Sequence, residues 1–306
     1  MMGRSVKVCA AHFWPGFSLQ VGFVRYLLEQ ALGPFTVVAT EKEADIVVSS
    51  VFPRRARIKK MFGVTWPRHP EKTISFIWEN QRPDYAKCRF SISSDFDSYG
   101  GRNFRVPLWY MQLQWPGLKR DQPAPGSKAW SSFEPLVSID SLLEPRPIPT
   151  HRPGFCCFVA ANREPHRMLA IEQLSTIRQV DLFGPITGTP FQGSKYQILS
   201  QYRFNLCFEN STFPGYYTEK LLQSWVGGCV PLYYSDKWFL LDFNPHAAIN
   251  RCDFKSLDEF VEHVASVDAS PSKLNELLNQ PLLLKRPSID DAVGFLRNAC
   301  GAILQR

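Results

Sequence analysis

Residues 202–234, YRFNLCFENSTFPGYYTEKLLQSWVGGCVPLYY, contain a complete strand–loop–helix–strand pattern. The apolar run 204–208 predicts a buried strand, the spacing over 218–226 predicts a helix, and 230–234 predicts the following strand. A helix between two short apolar strands is typical of a parallel sheet. Three polar residues, 209–211, come directly after the first strand, where α/β proteins place groups that bind phosphorylated ligands.

The same alternation continues on both sides of this stretch. Downstream, a capping box at 256–259 predicts a helix to about Val267, and Ser288 is predicted to open the last helix. Upstream, a predicted strand over 155–160 is followed by a predicted helix over 165–177. Further strands are predicted at 180–183 and, in the first third of the chain, at 5–10, 35–39, 45–50, 73–78 and 88–93.

One helix and one proline-rich stretch complete the pattern. Ser18 is predicted to cap a helix that ends at Gly33. Eight of the 24 prolines lie within 116–153, a density that breaks helices and central strands and therefore predicts a linker with some packed side chains. The two series of elements predict an α/β protein with two Rossmann-like domains facing a cleft. The predicted domains are residues 1–150 and 151–306, and the last helix is expected to pack back on the first domain.

The composition is that of a globular protein with a mild positive charge. Of 306 residues, 35 are Lys or Arg and 28 are Asp or Glu, which gives +7 with neutral histidines. No run approaches the roughly 18–20 apolar residues of a membrane span, and the first residues lack a signal peptide's apolar centre. We expect a cytoplasmic protein, with peripheral contact at the inner membrane left open. The eight scattered cysteines are expected to be buried thiols, with disulfides or a zinc site as alternatives.

The polar residues of the 202–234 stretch suit a ligand with hydroxyl groups and phosphates. Asn210, Tyr216 and Glu219 can hydrogen-bond the hydroxyls of a ribose or another sugar, and Lys220 can neutralise a diphosphate. The alternative is an ordinary strand–loop–helix with a solvated charged turn. Composition alone favours that alternative.

The spacing of these residues resembles the donor-binding signature of the α1,3-fucosyltransferases, glycosyltransferase family ten. The family pattern FxxxFENSxxxxYxTEK, then a helix and GxVP, is matched by Phe204, 208–211, 218–220, Gly228 and 230–231. The match covers some 30 residues and includes several uncommon residues at fixed spacing. It implies a GT-B type fold whose carboxyl-terminal half binds GDP-fucose.

Residues 216 and 217 are both tyrosine, whereas the family usually has tyrosine followed by valine at these two positions. The register assigns the ligand role to Tyr216 and a packing position to Tyr217. The resemblance implies that the donor is bound by Asn210, Tyr216, Glu219 and Lys220. Further candidates for the donor or acceptor cleft in this motif are Glu209, Ser211 and Thr218.

The resemblance extends outward over roughly residues 73–282, whereas the first 70 residues match only as a βαβ pattern. The segment 155–162 (FCCFVAAN) with Arg167 is similar to the family segment whose basic residue reaches the donor diphosphate. Arg167 takes that role here, and Arg163 is the rival. The segments 242–245 (DFNP) and 252–254 (CDF) resemble the family sequence downstream of the donor motif.

In the first half, 74–83 (ISFIWENQRP) resembles the family segment that carries the proposed catalytic base. This implies Glu79 as the general base, with Asn80 beside it. Inverting transfer needs one carboxylate to deprotonate the acceptor hydroxyl as it attacks the anomeric carbon opposite the leaving diphosphate, and it needs no enzyme nucleophile. The alternative is a structural Glu79 that pairs with Arg82.

Charge on the leaving GDP can be stabilised by Arg167 and Lys220 instead of a metal. No cofactor is therefore expected to be required, and stimulation by Mn²⁺ or Mg²⁺ is left open. Asp95 and Asp97 form a DxD pattern, by which many sugar-nucleotide enzymes hold Mn²⁺. Because this pattern is short, common and located in the acceptor half, a donor-metal role there is the minor alternative.

A basic run, 54–60 (RRARIKK), is predicted to be a solvated surface, with contact to an anionic glycolipid or membrane as the alternative. Nucleic acid is not expected as a partner, because no aromatic residues are interleaved with the basic ones. The histidines lack metal-ligand spacing. After the first strand, His12 and Trp14 are candidates for lining the acceptor cleft.

Taken together, the residues and the resemblance predict an inverting α1,3-fucosyltransferase. It would move L-fucose from GDP-fucose to an N-acetylglucosamine-containing glycan of lactosamine or Lewis type, or to a glycolipid. The chain looks like the bacterial soluble members of the family. The alternatives are a GT-B glycosyltransferase that uses another nucleotide sugar, and a non-catalytic module that binds a glycan or a nucleotide.

Overall fold

A computed structural model describes residues 4–52, 67–119, 134–147, 152–187 and 193–305. Its internal contacts divide the chain into two compact units. The first unit comprises Met1–Leu108, Pro116–Asp121 and Ser288–Arg306, and the second comprises Trp109–Trp115 and Gln122–Pro287. The sequence predicts a division after residue 150. In the structure the second unit begins earlier, at Trp109, and the last helix is part of the first unit.

The first unit is built on a six-stranded parallel sheet with the order β2-β1-β3-β4-β5-β6. Two central strands, IVVS and TISFI, are buried at every residue, as expected for parallel strands with both faces covered. The strands are β1 (Lys7–Ala11), β2 (Thr36–Val37), β3 (Ile46–Ser49), β4 (Thr73–Ile77), β5 (Phe90–Ser93) and β6 (Asn103–Arg105).

Helix α1 (Phe23–Leu32) begins later than the sequence predicted. Its N-cap is Gly22, with φ of 88°, and Ser18 instead accepts a hydrogen bond from the Gln20 backbone N–H at 3.2 Å. The prediction of Ser18 as the cap is therefore wrong, because the chain enters the helix through a backbone conformation that favours glycine. The predicted end at Gly33 is confirmed.

The edge strand β6 was missed in the sequence because its residues are mostly polar. Asn103 is buried, and its side-chain oxygen accepts hydrogen bonds from the hydroxyls of Ser91 and Ser93, both at 2.8 Å. Its amide nitrogen donates to the backbone oxygen of Asp97 at 2.8 Å. One satisfied polar side chain thus ties β6 to β5.

The last helix, α8 (Asp290–Leu304), packs on α1 and contacts β3 and β6. Its Phe295 ring meets the rings of Phe90 and Phe104 at centroid distances of 6.2 and 5.8 Å. The chain thus returns to the first unit after completing the second.

The second unit is built on a five-stranded parallel sheet with the order β11-β10-β9-β7-β8. Its strands are β7 (Gly154–Val159), β8 (Val180–Phe183), β9 (Tyr202–Leu206), β10 (Val230–Tyr233) and β11 (Ile249–Asn250). Its helices are α2 (Ile139–Leu143), α3 (Pro165–Leu174), α4 (Lys195–Leu199), α5 (Lys220–Val226), α6 (Leu257–Asp268) and α7 (Pro271–Leu278).

Both faces of this sheet are covered, and neighbouring residues of β7 show how. Cys156 belongs to the large core cluster with α3 and α6, including Leu174 and Phe260. Cys157, the next residue, packs on the opposite side with Leu199 of α4. This alternation follows from the period of two in a strand.

The predicted elements of the second unit are present with small shifts. Strand β9 begins two residues before the predicted 204, and α5 begins at Lys220 instead of residue 218. Ser256 caps α6 as predicted, accepting a hydrogen bond from the Glu259 backbone N–H at 3.1 Å. Helices α4 and α7 were not predicted, although Ser194 and Ser270 cap them.

All eight cysteines lie in the described residues and all are free thiols. Seven of them are buried, and Cys252 is exposed. The expected burial is confirmed for seven cysteines and is wrong for Cys252. Among the described helices, none has the length and apolar composition needed to cross a bilayer.

Candidate functional site

A pocket of about 220 Å³ opens in the second unit where β7 and β9 end. At the carboxyl ends of parallel strands, backbone and polar side chains from the following loops converge on one edge of the sheet. The lining residues come from β7 and its loop, from α3, α4, β9 and α5: 158–162, Arg167, Lys195, 205–208, Asn210, Glu219 and Lys220. Four residues predicted to bind the donor line this pocket together: Arg167, Asn210, Glu219 and Lys220.

Arg167 projects from α3 and is only 1% exposed. Its Nε donates to the backbone oxygen of Phe208 at 3.1 Å, and one Nη donates to the same oxygen. Burial lowers the pKa of Arg167, while the negative charge of Glu209 acts against this lowering. The guanidinium is therefore held at the end of β9 by a backbone carbonyl, and its other N–H groups form no hydrogen bond with a described residue.

Glu209 is the centre of the hydrogen-bond network behind the pocket. Its Oε1 accepts from the Thr218 backbone N–H at 2.8 Å, the Thr218 hydroxyl at 2.8 Å and the Tyr233 hydroxyl at 2.9 Å. Its Oε2 accepts from Lys220 Nζ at 2.8 Å and from the Thr218 hydroxyl at 2.9 Å. Both oxygens are occupied within the protein. Glu209 and Thr218, candidates for direct contact, thus join β9, β10 and α5 behind the pocket wall.

Lys220 lines the pocket but is already paired. Its ammonium donates to Glu209 at 2.8 Å and to the Thr218 hydroxyl at 2.9 Å. Burial lowers the pKa of Lys220, but the carboxylates of Glu209 and Glu219 outweigh burial and raise it. Burial raises the pKa of Glu219, but the charges of Lys220 and Lys195 outweigh burial and lower it.

Lys195 is a third basic residue of the pocket, and sequence reasoning missed it. It is the first residue of α4, and its ammonium donates to the side-chain oxygen of Gln223 at 2.9 Å. Burial lowers the pKa of Lys195, and the nearby charge of Glu219 opposes that effect. The capping box formed by Ser194 and Gln197 was the available signal, because it places Lys195 at the start of a helix.

Asn205 gives the pocket an acceptor. It is 1% exposed, and its amide nitrogen donates to the backbone oxygen of Cys157 at 3.0 Å. Its side-chain oxygen accepts no hydrogen bond from any residue that the structure describes. A buried acceptor in this state is stabilised by a water or by a ligand donor.

The two adjacent tyrosines have different surroundings. Tyr217 is fully buried, and its hydroxyl donates to Asp236 at 3.0 Å. Tyr216 is also buried, and it lies close enough to Arg167 and Lys220 to influence the pKa of both. Neither tyrosine, nor Ser211, contributes to the pocket wall.

In the first unit, Glu79 lies two residues after the end of β4 and is exposed. Among the described residues, no side chain forms a hydrogen bond or ion pair with its carboxylate. Arg82 instead forms an ion pair with buried Asp95 and donates to the side chain of Asn80 at 2.7 Å. The alternative of a Glu79–Arg82 pair is therefore wrong.

Asp95, the first residue of the DxD pattern, has both carboxylate oxygens engaged. One accepts from Arg82, and the other accepts from the Tyr99 hydroxyl at 2.7 Å. Asp97 accepts from the Tyr99 backbone N–H at 2.7 Å. In the described ranges, no group of three or more His, Cys, Asp or Glu side chains is arranged to bind a metal ion.

The loop after β1 carries the other candidates from the first unit. His12 is buried and has φ of 58°. Trp14 is half-buried and meets the rings of Phe17 and Phe52 edge-on, at centroid distances of 5.0 and 6.1 Å. The basic run 54–60 lies outside the described residues.

Residues 150–279, which include the whole pocket, match the model of glycosyltransferase family 10 (fucosyltransferase) C-term. This part of the chain is a glycosyltransferase family 10 domain. The resemblance stated for 202–234 is thereby confirmed. The family 10 domain supplies all the strands of the second sheet, β7 to β11.

Curated relatives agree with this assignment. The chain is 29% identical over 208 residues to the alpha-(1,3)-fucosyltransferase FucT of Helicobacter pylori, covering 63% of this chain and 43% of that protein. It is 32% identical over 241 residues to the 4-galactosyl-N-acetylglucosaminide 3-alpha-L-fucosyltransferase FUT6 of Pongo pygmaeus, covering 76% of this chain and 57% of that protein. The chain thus spans less than half of the Helicobacter pylori protein's length.

Solved structures are similar over nearly the whole chain. A crystal structure of an alpha1,3-fucosyltransferase with GDP-fucose gives a TM-score of 0.70 at 21% identity, covering 97% of this chain and 90% of that one. The structure with GDP gives 0.71 at 22% identity, with 98% and 91% covered. The predicted α/β fold of GT-B type, with two parallel sheets, is confirmed.

Proposed function

We propose that this protein is an inverting α1,3-fucosyltransferase. In this proposal, L-fucose passes from GDP-fucose to an N-acetylglucosamine-containing glycan of lactosamine or Lewis type, or to a glycolipid carrying one. The observation that carries the proposal is the pocket of the family 10 domain, where Arg167, Lys195 and Lys220 converge at the ends of two parallel strands. Such a concentration of positive charge suits a nucleoside diphosphate.

The polar neutral groups of the pocket support a nucleotide-sugar ligand. Asn210 and Glu219 supply hydrogen-bonding groups for ribose or fucose hydroxyls. Tyr216, buried beside Arg167 and Lys220, is assigned to the same ligand. The side-chain oxygen of Asn205 can accept from a base or ribose donor.

Glu79 is proposed as the general base. It removes the proton from the acceptor hydroxyl as that oxygen attacks the anomeric carbon of fucose. The bond from that carbon to the diphosphate oxygen breaks, and GDP leaves with the electron pair. The exposed position of Glu79, together with the engagement of Arg82 by Asp95 and Asn80, supports this role, since no described cation competes for the carboxylate.

We propose that no metal ion is required and that Mn²⁺ or Mg²⁺ modulates the reaction without enabling it. The basic residues of the pocket can stabilise the developing charge on GDP. The DxD carboxylate Asp95 is committed to Arg82 and Tyr99, which supports leaving it out of the donor chemistry. Transfer measured in excess EDTA tests this point, and complete loss of transfer that Mn²⁺ restores would contradict it.

The cytoplasm is proposed as the location, and peripheral contact with the inner membrane belongs to the same proposal. Eight free thiols support a reducing compartment. Fractionation of cells tests it: recovery only from an oxidising compartment would contradict it, and release from membranes by salt would support electrostatic contact.

Incubation with GDP-fucose and with type I and type II lactosamine acceptors tests the function directly. Linkage analysis of a fucosylated product is expected to show an α1,3 bond to N-acetylglucosamine. Transfer from a UDP- or ADP-sugar but not from GDP-fucose would favour another nucleotide-sugar transferase. Binding of GDP without turnover on any acceptor would favour a non-catalytic module.

A further inference from the structure

The three basic residues of the pocket differ in what balances their charge. Lys220 is 2.8 Å from the buried carboxylate of Glu209, so part of its charge is balanced within the protein. Arg167 is bound to the backbone oxygen of Phe208. Lys195 donates to the neutral amide of Gln223, and no described carboxylate lies within ion-pair distance of its ammonium. Among the described residues Lys195 therefore forms no ion pair, and the charge of Glu219, another residue of the pocket, acts on it only from a longer distance.

The protein fixes Lys195 at its backbone. Glu134, which is 3% exposed, accepts the Lys195 backbone N–H at 2.6 Å through one oxygen and the Ser194 hydroxyl at 2.7 Å through the other. The same Ser194 caps α4. A buried carboxylate at the first turn stabilises a helix start. The Cα of Lys195 is thus held in one place relative to the sheet.

The protein also fixes the other end of Lys195. Gln223, on α5 and 8% exposed, receives one N–H of the ammonium at 2.9 Å. An ammonium has three N–H donors, so two remain after this bond. Holding a flexible side chain at both ends reduces the conformational entropy that is lost when a ligand binds. This arrangement is that of a ligand-binding cation and differs from that of a lysine at a solvated surface.

Burial of an ammonium that forms no ion pair is unfavourable. Its effect is visible in the pKa of Lys195, which burial lowers. An anion that enters the pocket offsets this cost and adds to the longer-range effect of Glu219, which opposes the lowering of the pKa of Lys195. Lys220 does not carry this cost, because Glu209 forms an ion pair with it and raises its pKa.

We propose that Lys195 binds the diphosphate of the donor, together with Arg167 and Lys220, and stabilises its charge as GDP leaves. This inference rests on the proposed function, because it takes a nucleoside diphosphate as the ligand. It assigns to α4 a residue of the donor site, in addition to the residues of α3 and α5.

The experiment compares three ligands by calorimetry with the full chain: inorganic pyrophosphate, GDP and guanosine. Lys195→Met removes the charge and keeps the length of the side chain, and Lys195→Arg keeps the charge. Lys273→Ala is the matched control, since Lys273 is an exposed lysine of α7 in the same unit. Thermal melting of each variant verifies that it is folded.

We expect Lys195→Met to weaken pyrophosphate and GDP binding by about ten- to a hundredfold, the worth of one or two charged hydrogen bonds. Guanosine binding should be unchanged, Lys195→Arg should retain most of the affinity, and Lys273→Ala should match the wild type. Pyrophosphate and GDP affinities within about twofold of the wild type in folded Lys195→Met would overturn the assignment. An equal loss for guanosine would also overturn it, because it would show a general distortion of the pocket.

The wild type separates this inference from the proposed function. If it binds pyrophosphate but not GDP, the GDP-fucose proposal fails, and the effect of Lys195→Met on pyrophosphate still decides the role of Lys195. If the wild type binds GDP and Lys195→Met binds it equally well, only the inference fails. Absence of binding of all three ligands by the wild type would overturn both.

Discussion

The pocket of the second unit and the strand end that carries Glu79 in the first unit hold their charges in opposite ways. In the pocket, Glu209 is almost fully buried and shares its two oxygens among Thr218, Lys220 and Tyr233. Glu79 is exposed and has no side-chain partner among the described residues. The first arrangement fixes positions before a ligand arrives, and the second leaves a carboxylate able to take up a proton. In the proposed function, binding and proton transfer are thus assigned to two kinds of environment.

The largest effect is expected from Glu79→Gln. Turnover should fall by about 10²- to 10⁴-fold, because the substitution removes the proposed general base. GDP-fucose affinity and thermal stability should stay near wild-type values, since Glu79 is exposed and its side chain has no partner among the described residues. Glu71→Gln, another exposed glutamate of the first unit, is the control. Wild-type turnover in Glu79→Gln would remove Glu79 from the role of base.

Glu209→Ala tests the buried carboxylate of the pocket in the second unit. It leaves Lys220 and the Tyr233 hydroxyl without their partner in a buried site, so the free energy of unfolding should fall by about 3–5 kcal/mol. Urea titration measures this fall. Glu172→Ala, at an exposed position of α3, should change the unfolding free energy by less than about 0.5 kcal/mol. Equal stabilities of the two variants would show that the Glu209 network does not support the fold.

Arg167→Lys is expected to have a smaller and more specific effect. Lysine keeps the charge, but it cannot bind the Phe208 carbonyl with two N–H groups and also reach a phosphate. GDP affinity should fall about tenfold, the equivalent of one charged hydrogen bond. Calorimetry with GDP provides the measurement. Unchanged affinity would mean that Arg167 acts on the backbone of the pocket and does not touch the ligand.

The smallest effects should distinguish the two adjacent tyrosines. Tyr217→Phe removes a hydrogen bond to Asp236, which still accepts from the Trp238 backbone N–H at 2.7 Å. The free energy of unfolding should fall by about 1 kcal/mol, and GDP-fucose affinity should be unchanged. Tyr216→Phe should instead weaken GDP-fucose binding. The reverse outcome would exchange the two assignments.

Much of the fold could be predicted because its strands are short apolar runs at regular intervals. Strand β8 was predicted with its observed bounds, and β4 within one residue. Strand β6 was missed, since its contacts with Ser91 and Ser93 substitute for an apolar pattern. The cap of α1 was misplaced because a glycine with positive φ leaves no side-chain signature comparable to that of Ser18.

The candidate site was predicted only in part, because only some of its residues lie in one short motif. Asn210, Glu219 and Lys220 belong to one short sequence motif, and in the structure all three line the same pocket. Long-range contacts set the rest. The bond from Tyr233 to Glu209 joins residues 24 positions apart, and Glu134 approaches Lys195 from 61 positions away. Spacing along the chain does not encode such contacts.

The exposure of Cys252 among seven buried cysteines offers a chemical handle. A maleimide fluorophore or spin label added to the native protein should attach at this single position, without removal of the other thiols. The label would report from the end of β11, in the same unit as the pocket. A second label on an introduced surface cysteine of the first unit would then give a distance between the two units, with and without GDP.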